Sequence, residues 1–102
     1  MHKFVSLYRD PVDPEVFRRH YVDVHIPLMR KLPGLLKVSY SFDVAVPEGE
    51  PSWFAVAEYV FASEADMAKA MDTPEGQAVR DDIVNAPVRE HSFLSYPVNG
   101  DL

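Results

Sequence analysis

Residues 36–44 alternate without a break, with Leu36, Val38, Tyr40, Phe42 and Val44 on one side and Lys37, Ser39, Ser41 and Asp43 on the other. Apolar residues at a period of two mark a strand with one face against a core. The segment Pro47 to Ser52, PEGEPS, consists of turn formers and polar groups, so it is expected to be an exposed hairpin loop. The run after it, Trp53 to Phe61, is apolar on both sides. Trp53, Ala55, Ala57, Tyr59 and Phe61 oppose Phe54, Val56 and Val60, and Glu58 is the one acid among them. A strand of that composition has to be covered on both faces.

The flanking segments repeat the theme. From His2 to Arg9, Phe4, Ser6 and Tyr8 alternate with Val5 and Leu7. A helix is predicted from Pro14 to about Leu32, opened by Asp13 as N-cap and Pro14 in the first turn, and closed by Pro33 and Gly34. After the third strand, Ser63 with Asp66 three residues on reads as a helix start, and Met67, Ala70 and Met71 supply its apolar face. Thr73 and Pro74 restart the helix, which Gly76, Val79, Ile83 and Val84 carry to about Ala86 before Pro87. Val88 to Tyr96 is a fourth, less regular strand, and PVNGDL is a tail placed to reach a partner.

The order strand, helix, strand, strand, helix, strand predicts an α+β chain, a ferredoxin-like βαββαβ unit with a four-stranded antiparallel sheet. Residues 1–102 form one domain on this reading. Helices cover one face of such a sheet, and an apolar second face exceeds what a soluble monomer tolerates. A second copy related by a two-fold axis is the simplest cover, giving a homodimer in which the two sheets make a dimeric α/β barrel.

The first helix also carries the chemistry. Phe17, Tyr21, Val24 and Leu28 make an apolar stripe, and Tyr21 and His25 lie one turn apart at its edge. Pro27 cannot donate to the carbonyl of Asp23, so the helix should bend or loosen there. A tyrosine and a histidine are thus paired at a kink.

Composition excludes several classes. The net charge of -6 is spread along the chain with no basic patch, which argues against nucleic-acid and anionic-membrane surfaces. With no cysteine there is no disulfide, thiolate metal site or cysteine nucleophile, and a cytoplasmic setting is expected. The N-terminus lacks the apolar stretch of a leader, and no run is long enough to span a membrane. His, Asp and Glu form no metal motif such as HExxH, and no Gly-rich phosphate loop or GxSxG elbow is present. Neither a metal nor a cofactor is therefore expected.

Phe17, Tyr21, His25, Pro27, Leu28, Leu32, Pro33 and Gly34 together resemble the signature of the EthD-like family within the dimeric α/β barrel superfamily: a Tyr and a His four apart, then Pro-Leu and a Leu-Pro-Gly turn. The resemblance in length and topology spans nearly the whole chain. It implies a homodimer with a small apolar cavity between each sheet and its helices. Superfamily relatives include cofactor-free monooxygenases, polyketide cyclases, isomerases, decarboxylases and dehydratases. Some distant ones bind heme through a histidine.

Two functions of different class follow. The first is a cofactor-independent enzyme acting on an apolar, aromatic or polyketide-like small molecule, with His25 moving a proton and Tyr21 orienting an oxygen. Trp53, Phe42 or Phe54 would wall the site, and Glu58 and His91 are further candidates for its lining. The second is a dimeric binding or accessory protein in which His25 and Tyr21 only brace the kink. Glu58 reads also as an ion-pair partner of Arg89 or Lys37 across the sheet, and His91 as facing the cavity or solvent. His20, beside two arginines, is expected to be exposed, and His2 carries little information.

Overall fold

The computed structural model describes residues 1–50 and 52–101. Pro51, within the expected hairpin loop, and Leu102, at the end of the tail, lie outside the described residues. Four strands, β1 (His2–Pro11), β2 (Leu35–Val44), β3 (Trp53–Phe61) and β4 (Val88–Pro97), form one antiparallel sheet in the order β2-β3-β1-β4. This is the ferredoxin-like arrangement. The helices α1 (Pro14–His20), α2 (Ile26–Arg30), α3 (Glu64–Met71) and α4 (Pro74–Asp82) pack on one face of it.

The helix starts follow local chemistry. The side chains of Asp13, Ser63 and Thr73 accept from the backbone N–H groups of Val16, Asp66 and Gly76, each three residues on. Pro14 and Pro74 occupy first-turn positions where a missing N–H costs nothing. Gly76 is needed for a different reason: a Cβ there would overlap the backbone of Met71.

The first helix is not the single rod from Pro14 to Leu32 that periodicity predicts. Between α1 and α2, Tyr21–His25 form a π-helical turn, in which the N–H of Ile26 donates to the carbonyl of Tyr21 five residues back. Pro27, which has no N–H to restore the tighter ladder, follows at once. The widened turn inserts a residue and rotates everything beyond it. Val24, expected in the apolar stripe, is 39% exposed, while His25, Ile26, Met29 and Leu32 turn inward.

The core is built from that rotated face against the sheet. Phe17, Tyr21, Ile26 and Met29 meet Tyr8, Ala55, Ala57, Tyr59 and Phe61, and Ala70 and Val79 close it from α3 and α4. Ala55 and Ala57 are fully buried; their small side chains leave room for the aromatic rings above them. Each large side chain buried this way stabilises the fold by roughly 1.5–3 kcal/mol.

Strand alternation breaks at three places. A bulge between Leu35 and Lys37 leaves Leu36 57% exposed, out of the phase expected for it. Asp10 and Asp43, near the strand ends, have φ of 56° and 57°. At that end of the sheet Phe54 packs on Phe17 and Phe42, whereas Trp53 lies under the Arg9 guanidinium at 3.8 Å. The tail begins against its own chain, since the N–H of Val98 donates to the Met1 carbonyl at 2.8 Å.

The face away from the helices carries Val5, Leu7, Val56, Val60, Leu94 and Tyr96, read from the strand registers. Leu94 and Tyr96 are 50% and 41% exposed. No helix of the described residues is long and apolar enough to cross a membrane.

Candidate active site

The π turn aims two rings of the first helix at the core. Phe17, Tyr21 and His25 stack in sequence, with centroids 5.3 Å and 5.2 Å apart and planes within 14° and 21°. Tyr21 is 2% exposed and His25 5%. The Tyr21 hydroxyl shares a hydrogen bond with the Tyr59 hydroxyl at 3.1 Å and approaches the Ser6 hydroxyl at 3.5 Å. Burial is the main reason that the phenols of Tyr8 and Tyr21 are raised above the ordinary range, and that of Tyr59 is pushed up to about 12. These hydroxyls therefore act as neutral donors and acceptors.

The residue that completes the site is Asp82, at the end of α4 and 57 positions from His25. Its carboxylate lies 3.0 Å from His25 Nδ1 through Oδ2, and 2.8 Å and 2.9 Å from His20 Nε2 through both oxygens. The amide of Asn85 donates to Oδ1 at 2.9 Å. Burial alone would raise the Asp82 carboxyl, but the hydrogen bonds from Asn85, His25 and His20 outweigh it and hold the group below the usual carboxylate range. An ionised Asp82 is acceptor-only, so His25 carries its proton on Nδ1 and Nε2 keeps its lone pair.

Burial lowers His25 below the ordinary imidazole value; the Asp82 contact works against this and the neighbouring His20 adds to it. The folded chain therefore binds that proton less readily than the unfolded chain. Below about pH 6.5, and down to the depressed folded value, the unfolded state holds more protons, so stability is lost as pH falls through this window. Asp82, also lowered, acts with the same sign at more acid pH. Melting temperatures should fall between about pH 7.5 and 5.5, and His25→Gln should flatten that slope. An unchanged slope in the variant would assign the effect to another group.

His25 faces a cavity of about 340 Å³ between the sheet and the helices, a size at the lower end of small-molecule sites. Phe4, Ser6, Tyr8, Tyr59 and Phe61 form its floor, Met29 and Leu32 one wall, and Met67, Met71 and Val79 another. Tyr59 lines the cavity, and Tyr21 lies behind it, hydrogen-bonded to the Tyr59 hydroxyl. Among the described residues, no group of three or more His, Asp or Glu is arranged to hold a metal ion.

Of the residues singled out from sequence, His25 lines the cavity, and Tyr21 reaches it through the hydroxyls of Ser6 and Tyr59. The others do not line it. Phe42 and Phe54 pack beside Tyr21 and Phe17, one layer away. Trp53 is at the far end of β3 under Arg9, where the alternation has broken. Glu58 belongs to the opposite face and pairs with Lys3 at 3.6 Å, its diagonal neighbour across the ladder, rather than with Arg89 or Lys37. Arg89 goes to Asp10 at 3.3 Å. His91 is exposed and stacks on Phe93 with centroids 4.7 Å apart.

Of the two further histidines, one departs from expectation. His20 is not free on the polar side, because the end of α4 places Asp82 against it and leaves its side chain 19% exposed. His2 is 5% exposed. Asp82 itself had one sequence signal, an acid among the apolar positions near the end of α4.

Residues 9–85, which include Tyr21, His25 and Asp82, match the EthD domain model. The chain belongs to the EthD family. An uncharacterized 11.0 kDa protein from the thcB-thcC intergenic region of Rhodococcus erythropolis is 31% identical over 85 residues, 83% of this EthD chain and 82% of that one. An EthD family protein of Bacillus halodurans superposes with a TM-score of 0.86 at 30% identity, covering 96% of this chain and 98% of that one. The hydroxynitrile lyase of Passiflora edulis gives a TM-score of 0.76 at 16% identity, over 99% and 95% of the two chains, a likeness of fold alone.

Proposed function

We propose that this EthD protein is a cofactor-independent enzyme that moves a proton on a small, largely apolar molecule. The observation that carries this reading is His25 at an apolar cavity with Nδ1 tied to the buried Asp82 carboxylate. Orientation by a carboxylate leaves Nε2 as the base and stabilises the imidazolium that forms when it takes a proton. Tyr59, backed by Tyr21 and Ser6, donates to the oxygen on which negative charge develops. The resulting carbanion or enolate is reprotonated elsewhere, expels a leaving group, or meets oxygen. Isomerase, lyase and cofactor-free oxygenase chemistry share that first step.

The test is deuterium incorporation from D₂O into a panel of aryl ketones and β-dicarbonyl compounds, followed by NMR. Catalysed exchange that disappears in His25→Ala supports the reading, and exchange no faster than buffer across the panel counts against it.

A homodimer belongs to the same proposal. The Val5, Val56, Val60, Leu94 and Tyr96 face needs an apolar cover, and a second copy brings an identical apolar face to it. Solution mass should be near twice 11.6 kDa; a mass near one chain would contradict it.

A further inference from the structure

Arg9, Arg18 and Arg89 each reach a carboxylate, on Glu90, Asp43 and Asp10, at 2.8, 3.0 and 3.3 Å. Arg80 does not. Its guanidinium donates to the amide oxygen of Gln77 at 3.3 Å, while the nitrogen of that amide donates to Asp81 at 2.7 Å. Gln77 thus occupies the neighbouring acid, and Asp82 is occupied by the two histidines. Among the described residues Arg80 has no carboxylate partner, in a chain with 16 acidic and 10 basic residues.

Position gives that cation a use. Arg80, Ile83 and Phe93 are the cavity-lining residues that are also exposed, so they mark its mouth. His25, by contrast, is buried. The rest of the lining is apolar apart from the neutral hydroxyls of Ser6, Tyr8 and Tyr59. A ligand whose charge stayed at the mouth would keep it hydrated and paired, whereas a charge carried inward would lose its water to an apolar wall. A guanidinium meets a carboxylate through two parallel hydrogen bonds, which fixes direction as well as charge.

We propose that the cavity takes an amphipathic acid, its apolar body enclosed and its carboxylate held at the mouth by Arg80. This rests on the cavity being the ligand site of the proposed function, but not on the role of His25. Such a ligand enters apolar end first, which brings the end remote from its carboxylate to the histidine.

Naphthylacetate and naphthylacetamide, alike in shape and different in charge, test the idea by calorimetry at neutral pH and low salt. Wild type should bind the acid about 5- to 20-fold more tightly than the amide, the range for a partly exposed charge-assisted contact. In Arg80→Gln the preference should vanish. Equal affinities in wild type, a preference that survives in Arg80→Gln, or no binding of either compound would overturn the proposal. The ratio is independent of chemistry: a His25→Ala protein that binds with the wild-type ratio keeps this inference whether or not His25 proves to be the base.

Discussion

Replacing His25 by alanine should slow the proton-transfer step by about 10²- to 10⁴-fold in a protein that still folds, the range for a lost general base. The side chain is buried, and its removal leaves a small void beside Tyr21 and one fewer donor to Asp82. Asp82 retains His20 and Asn85, so its charge is not orphaned. The stability cost should accordingly stay at about 1–3 kcal/mol. Exchange kinetics measured beside a thermal melt separate the two functions. A protein that merely braces its helix loses melting temperature and no rate. Full turnover in this variant on a substrate that wild type processes would end the assignment of His25 as base.

Asp82→Ala should be the most damaging single change to the fold among the site residues. It removes one carboxylate but strips the acceptor from three donors at once, on His25, His20 and Asn85. Unpaired buried donors cost about 1–3 kcal/mol each, and His20 and Asn85 recover part of theirs from solvent. A total loss of about 2–4 kcal/mol follows, or roughly 10–25 °C in melting temperature for a domain of this size. Asp82→Asn separates orientation from stability. Its amide accepts from one histidine and donates to the other, so it favours the wrong tautomer on His25 and moves the proton to Nε2. The rate should fall about 10²-fold or more while most of the melting temperature is kept. A rate near wild type in Asp82→Asn would show that the carboxylate only holds the two helices together.

Much of this architecture is legible in local chemistry. The PEGEPS loop between two alternating runs dictates the β2-β3 hairpin, and Asp13-Pro14 and Thr73-Pro74 dictate helix starts, because each is a contest among groups a few residues apart. Pro27 in the apolar pattern announces that the first helix cannot stay regular. What it does not announce is the form of the irregularity. A bend would have kept Val24 in the stripe, whereas the π turn expels Val24 and brings in His25 and Ile26. That choice depends on which face the sheet can receive, and the small Ala55 and Ala57 are part of the answer.

The wall of the cavity is not legible from alternation, for a related reason. Alternation says which residues share a face but not which face meets the helices, and three local breaks spoil even the sharing. Leu36 is lost to a bulge, and Phe54 and Trp53 sit where the strands lose their regular pleat near Asp10 and Asp43. Met67, Met71 and Arg80 line the site from helices whose distance from β1 no periodicity contains.

The order of strands and helices, the caps, the irregular first helix and the pairing of Tyr21 with His25 are all written in the chain, since each rests on neighbours within one or two turns. That Asp82, far along the chain, closes on that histidine, and that the pair opens on a cavity, emerges from the folded packing alone. A hydrogen bond reads the distance between two atoms in space, and sequence separation carries no record of it.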